Sequence, residues 1–581
     1  DKRLREQEDV GPKEFINIDE LSPDDLSINL FGANDLLNQS AVSYFGYDHK
    51  GNKTSGNPSI QDFLNNPGSR PMGAYNPNYT SGYIQDKFQV KDLFFRVGVR
   101  VDRFDANQLV PKDIYSLFPT RSVGDVDGER NPAGQHPGNL SDQAVVYVDD
   151  AFATDPDIVG YREGDNWFNA SGESVENPNT IALETRSGEI QPFLAEGVDE
   201  DDNLDPAGFE EYEPQVTVMP RIAFSFPISQ EARFRASYDV LTQRPKSRIQ
   251  TTLDDFYYLE NRSNQTINNP NLQPERSNKF TLGFKQRLTR KSSFELKGFY
   301  TETRNLIPQQ QINQAYPTSY RTYRNIDFST TKGLTAIYDI RATKRSPVSF
   351  RGSYTLQFAD GTGSNTSQQA SLIEAGQPNL RTPFPLSTDI RHNFQGILDY
   401  RFRSGANYNG PVAGNGTQIL KNVGFNLRLS AQSGQPYSAQ SNVTQAVSVG
   451  IRQRGLLDGD INGARLPWTY SANIRIDKRI PVSWGSDGEG SGGISGRGGP
   501  QDNINIYLRI DNLLNTKNVT RVYDFTGSPD DDGFLASAQG QQTISEQVSQ
   551  RAFRDQYRAK VTNPFNYQRP RIIRLGAQFN F

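Results

Sequence analysis

The feature that most constrains this chain is its last ten residues. From Ile572 to Phe581 the side chains alternate, with Ile573, Leu575, Ala577, Phe579 and Phe581 on one side of an extended backbone. Ile572, Arg574, Gly576, Gln578 and Asn580 fall on the other. Such a strand has one apolar and one mostly polar face, and it closes on an aromatic ring. The pattern recurs in about fifteen segments, which makes the chain all-β in its repeating structure. Phe95, Val97, Val99 and Val101 oppose Arg96, Gly98, Arg100 and Asp102; Phe280, Leu282 and Phe284 oppose Thr281, Gly283 and Lys285. Ile504, Ile506, Leu508 and Ile510 oppose Asn503, Asn505, Tyr507 and Arg509. Further segments centre near residues 28, 43, 85, 224, 236, 297, 336, 354, 398, 427, 474 and 576. Their polar faces carry a repeated set of arginines: Arg96, Arg100, Arg351, Arg428, Arg475, Arg509 and Arg574.

A soluble sandwich alternates too, so the connectors have to decide. Short ones are Ala33 to Leu37, Val90 to Lys91, Ser229 to Gln230, Arg290 to Lys291 and Thr343 to Pro347. They take turns with long ones: His49 to Tyr79, Asp105 to Gln215, Leu241 to Glu275, Arg304 to Arg324, Ala359 to Thr388 and Leu513 to Gln568. Outer-membrane barrels show this asymmetry, with tight periplasmic turns and extended outer loops. Ser404 to Lys421 and Pro481 to Pro500 fall on the short side without being short. The second is Gly/Ser-rich and reads as a flexible periplasmic turn over 481–500.

Composition permits this reading. Mean hydropathy is −0.69 and charged residues make up 22%. No apolar run of about 18 residues exists, so transmembrane helices are excluded. A barrel escapes that test, because only alternate residues of each strand meet lipid. Net charge is −5 with both signs scattered, which gives no electrostatic reason to propose nucleic acid as a partner. Cysteine is absent, so no disulfide framework or thiolate metal site forms.

Four segments, in order, carry a family resemblance: Asn268-Asn269-Pro270-Asn271-Leu272-Gln273-Pro274-Glu275, Asp389-Ile390-Arg391-His392-Asn393-Phe394, Gln432-Ser433-Gly434-Gln435-Pro436-Tyr437 and Arg509-Ile510-Asp511-Asn512-Leu513-Leu514-Asn515-Thr516-Lys517-Asn518. They resemble segments of TonB-dependent outer-membrane receptors, of the Bacteroidota type with a carboxypeptidase-regulatory-like domain in front. The terminal strand resembles the insertion signal read by the barrel-assembly machinery, with Gly576, Phe579 and Phe581 as its marks. The resemblance implies a transmembrane antiparallel β-barrel of roughly 22 strands in the bacterial outer membrane, its lumen filled by an N-terminal plug that contacts TonB. No plug is recognised here. Counting back from Phe581 puts residues 1–23 outside the cell as a loop remnant, residues 24–581 in the C-terminal part of the barrel, 105–215 in a large extracellular loop, and at least one strand before Asp1.

No catalytic constellation is recognised. Gly488, Gly490 and Gly493 match a G-x-G-x-x-G but lie in the Gly/Ser-rich turn, with no strand before and no helix after. His49, His136 and His392 stand in separate segments without partners at helical spacing, as lumen or loop polar residues do. The acidic stretch of Glu196, Asp199, Glu200, Asp201, Asp202, Asp205, Glu210, Glu211 and Glu213 could chelate calcium, but without the full spacing of a calcium loop it reads first as a solvated loop. Asp530, Asp531 and Asp532 are candidate calcium ligands, set against a turn at Pro529 to Gly533. No other cofactor is expected. Tyr44, Phe45, Phe104, Phe299, Tyr300, Phe358, Tyr400 and Phe402 fall near strand ends, as interfacial girdles do. Trp167, Phe168, Tyr257 and Tyr258 are loop aromatics that suit either a ligand or internal packing.

Two functions follow from the resemblance. One is uptake of a nutrient, energised through TonB and lidded by a surface lipoprotein. The other is a structural role, with a receptor-like barrel serving as a subunit of an outer-membrane assembly, secretion or surface-protein complex. Its partners are then lipid and another outer-membrane protein. The loop from Asp105 to Gln215 contains sheet signals at Ala144-Val145-Val146-Tyr147-Val148 and Thr180-Ile181-Ala182-Leu183, and is expected to fold over the barrel mouth.

Overall fold

The computed structural model describes residues 22, 28, 31–38, 41–131, 134–185, 188–245, 248–262, 265–343, 346–374, 377–445, 455–481 and 503–580. Thirteen long strands follow one another in a single antiparallel sheet: β1 (Asn78–Val90), β2 (Leu93–Asp105), β3 (Gln215–Pro227), β4 (Ala232–Gln243), β5 (Glu275–Arg287), β6 (Ser292–Leu306), β7 (Asp327–Ile340), β8 (Val348–Gly361), β9 (His392–Arg401), β10 (Val423–Gln432), β11 (Thr469–Pro481), β12 (Asn503–Asp511) and β13 (Ile572–Asn580). Each pairs with the next in sequence, the up-and-down meander of a β-barrel wall. The β1–β2 turn is two residues, with Lys91 at φ 52°, the left-handed conformation a tight hairpin needs.

The register carries each apolar face into its neighbour. Ile84, Val99 and Pro220 stand side by side at one end of the sheet, and Ile474, Ile510 and Ile573 at the other. Among the described residues nothing packs over Leu282 or Leu575 on this face, and they are 58% and 77% exposed. A continuous apolar band of that kind is stable against hydrocarbon and not against water. The opposite face carries the expected arginines.

The long connectors all leave the same end of the sheet; those before β1 and after β2, β4 and β6 fold together, and those after β10 and β12 share a separate core of Phe534, Tyr557 and Val561. Tyr147, Trp167 and Leu204 from the connector after β2 share one core with Ile60 before β1, with Phe256 and Leu259 after β4, and with Ile312 and Tyr320 after β6. That connector contains its own small sheet of Val145–Val148, Ile158–Glu163, Asn166–Asn169, Ser174–Val175 and Gln191–Pro192. The body is anchored to the wall by Phe104 and Ile307 at strand ends, which pack with Val110, Tyr212 and Leu272.

Three expectations are corrected. Of the fifteen alternating segments, that near 43 is not a strand, and among the described residues the wall begins at Asn78. Most of Asp25 to Phe31 lies outside the described residues, Ile28 being in a short 3-10 turn. Ala33 to Leu37, expected as a tight connector, is the helix Ala33–Asn38, whose Ala33 and Leu37 bury one face at i, i+4 spacing. The apolar residues around 43 pack inward: Tyr44 joins Leu37, Phe63, Met72 and Tyr258, and its hydroxyl donates to the carbonyls of Ser69 and Arg70. Thr180 to Leu183, expected to add sheet, lies in the helix Asn179–Glu184. The Gly/Ser-rich turn over 481–500, with Gly488, Gly490 and Gly493, lies outside the described residues apart from Pro481.

Candidate functional site

The inner wall is built by alternation and then organised by register. At its C-terminal end three arginines, Arg475, Arg509 and Arg574, stand directly opposite one another on β11, β12 and β13. Like charges in that arrangement repel, and each is offset differently. Asp511 accepts from Arg509 at 2.9 Å and from Arg574 at 3.0 Å. Arg475 lies 4.3 Å from the ring centroid of Tyr507. From β9, Arg401 holds both carboxylate oxygens of Asp477 on β11 at 2.8 and 2.7 Å. At the N-terminal end Arg100 pairs with Asp102 at 2.7 Å and Arg221 with Asp239 at 3.3 Å.

Where wall meets loops there is a polar cavity of about 530 Å³. Arg244, Arg248 and Arg262 enter it together with Asp254 and Asp255. The helix Leu253–Tyr257 starts in a capping box, Thr252 with Asp255, which fixes both carboxylates in its first turn. Arg262 donates to Asp254 at 2.9 Å and to the Leu37 carbonyl, crossing from one loop to the segment before β1. Arg244 stacks 4.2 Å from the Phe104 ring, and Arg248 lies 4.6 Å from that of Tyr323. Burial, followed by the nearby Asp254 charge, pushes the Asp255 carboxyl above the ordinary carboxylate value. Paired charge inside a cavity of this size suits a small polar solute.

The other candidates are dispersed. Asp530, Asp531 and Asp532 are engaged locally: Asp532 accepts from the Tyr557 hydroxyl at 2.6 Å and from the Phe534 amide, Asp531 accepts from the Gly533 amide, and Asp530 from the Tyr567 hydroxyl. Among the described residues no group of three His, Asp or Glu is placed to hold a metal ion. In the acidic stretch Glu196 pairs with Arg121, while burial and neighbouring Asp199 and Asp205 raise Asp202. His136 bridges the Tyr161 hydroxyl and the Val126 carbonyl at 2.9 Å each, and His392 meets the Tyr354 hydroxyl at 2.9 Å. Trp167 and Tyr258 are core residues, and Tyr257 lies under Arg70 at 4.3 Å. Of the terminal marks, Gly576 sits opposite Tyr507, Phe579 is 58% exposed on the apolar face, and Phe581 lies outside the described residues.

The cavity at the mouth was not among the expected sites. Its residues come from separate connectors with no common period, and the one local signal was the capping pattern at Thr252 and Asp255.

Residues 205–433 match the model of the outer membrane protein β-barrel family. No curated protein sequence matches the chain. Among solved structures the chain is similar to the ferric-catecholate import receptor Fiu from K12 E. coli, at 11% identity over 76% of this chain and 41% of that one, with a TM-score of 0.35. It is also similar to the FrpB iron transporter from Neisseria meningitidis, at 11% identity over 77% and 43%, TM-score 0.37. A third is the outer membrane transporter YddB from Escherichia coli, at 9% identity over 76% and 51%, TM-score 0.36. The chain thus spans between 41% and 51% of the length of these proteins. Strands β3 to β10 fall inside the family match. With an apolar outer face, a polar inner face and that match, the sheet has the build of an outer-membrane β-barrel wall, and its residues 205–433 are similar to the outer membrane protein β-barrel family.

Proposed function

We propose that this chain forms wall and outer mouth of a TonB-dependent receptor that takes a nutrient across the outer membrane. The observation that supports it is the placement of a charged inner wall directly below a packed loop body, with a polar cavity where the two meet. A wall with only a scaffolding role needs neither feature. Energy delivered by TonB through a plug, and a surface lipoprotein as lid, are what the family resemblance adds.

The chain has no cysteine, so single thiols report access cleanly. Ser430 lies on the inner face of β10 and Leu429 on the outer. Ser430→Cys in the full-length protein is expected to react with a membrane-impermeant maleimide in energised cells and to be protected when the proton gradient is collapsed, while Leu429→Cys stays unreactive in both. A Ser430→Cys rate that ignores the gradient overturns the uptake reading. The alternative, a subunit of a surface assembly, draws on the loop body having a core of its own. It gains if that gradient-independent protein also co-purifies with a second outer-membrane protein.

A further inference from the structure

The geometry points to an anion-binding site on the inner wall near the short-turn end of β1 to β6, which takes a small solute bearing several carboxylate or phosphate groups. This deepens the uptake reading and rests on it.

The first observation is a pairing that folding alone disfavours. Lys87 on β1 stands directly opposite Arg96 on β2, and both side chains are exposed on the inner face. Like charges in direct cross-strand register are destabilising. Among the described residues no carboxylate pairs with either, in contrast to the balanced arginines at the other end of the sheet. The second observation is shape. These two cations, with Arg235 and Lys297, line a concavity of about 450 Å³, the size of a small-molecule site. Glu295 is the carboxylate among its lining residues, and it is already held by Lys297 at 3.2 Å and Lys285 at 3.5 Å.

The third observation is what fills the floor. Ser225, Ser237 and Thr281 line it beside Phe94, Phe95 and Phe224, and Gly283 lies opposite both Arg235 and Lys297 in register. Small side chains beneath long cationic ones leave space where guanidinium and ammonium groups reach a bound anion and hydroxyls complete its hydrogen bonds. The patch is local, whereas the whole chain carries net charge −5. Lys87, Arg96 and Arg235 thus concentrate positive charge in one pocket of the inner face, which attracts anions into it.

The test is equilibrium binding of radiolabelled citrate and of inorganic pyrophosphate to the purified full-length protein in detergent. Arg96→Gln and Arg235→Gln are each expected to weaken binding about tenfold, the loss of one charge-assisted contact, while Arg428→Gln, elsewhere on the inner wall, changes it less than about twofold. Tighter citrate binding assigns the site to carboxylates, and tighter pyrophosphate binding assigns it to phosphates. Retained melting temperatures keep a folding defect from mimicking the loss. Absence of saturable binding of both probes, or equal losses in Arg428→Gln and Arg96→Gln, overturns the site. If the probes bind at this patch but Ser430→Cys labelling ignores the proton gradient, the site stands and uptake fails; gradient-sensitive labelling without probe binding is the reverse.

Discussion

Arg324 donates from its two terminal guanidinium nitrogens to the two carboxylate oxygens of Asp165, at 2.8 and 2.9 Å, across 159 residues of sequence. The bridge ties the connector after β2 to the connector after β6. Burial alone would push the Asp165 carboxyl up, but hydrogen bonding and charge from Arg324 outweigh it and hold the group below its ordinary value. A depressed folded value means stability that is present above the unfolded value, about 3.9, and lost as pH falls through the folded one. Amide exchange across the loop body is therefore expected to rise on acidification below about pH 4, and Asp165→Asn to flatten that rise. An unchanged acid response in Asp165→Asn would show that the bridge does not govern it.

Val99 lies at the middle of β2 on the apolar face and Arg100 on the inner face. Val99→Arg is expected to cost about 2–4 kcal/mol in a bilayer refolding titration. Arg100→Gln gives up a pair with Asp102 in a solvated setting and should cost far less. Equal penalties would reverse the assignment of faces.

Gly576 is the residue at which the last strand admits an aromatic from its neighbour. A Cβ there would lie 2.5 Å from the Tyr507 ring. Gly576→Ala is therefore expected to destabilise the β12–β13 pair by about 1–3 kcal/mol through overpacking. In a Tyr507→Ala background the same substitution should cost almost nothing. Additive penalties in that double-mutant cycle would mean the ring is not the obstacle.

Trp167 is 3% exposed and packs on Tyr147 with ring centroids 4.6 Å apart. Trp167→Ala is expected to cost the loop body about 3–5 kcal/mol. Because one core joins several connectors, limited proteolysis should cut the segments 106–214, 244–274 and 307–326 together rather than the first alone. Cleavage confined to 106–214 would show that the connectors fold independently.

Removing Phe581, the aromatic that closes the terminal alternation, is expected to leave unassembled, protease-sensitive chain in the periplasm. Normal surface yield of the shortened protein would remove Gly576, Phe579 and Phe581 from any role in insertion.

The wall was legible from sequence because its cause is local. A pleated strand turns successive side chains to opposite faces, so Phe95 to Asp102 or Ile504 to Arg509 declare both strand and sidedness from neighbours alone. Connector lengths added the direction of the long loops for the same reason. The failures near residue 43 and at Thr180 to Leu183 mark where short apolar alternation is absorbed by a loop core, which rewards burial without regard to period. Tertiary structure alone placed Lys87 against Arg96, Arg324 against Asp165 and Arg262 against Leu37. Such contacts depend on which residues the register and the packed connectors bring level, and a pairing across 159 residues leaves no periodic trace in the chain that makes it. The outer face was therefore written strand by strand, while the charge pattern of the inner face and the cavity at the mouth exist only once the strands are aligned and the loops have closed on one another.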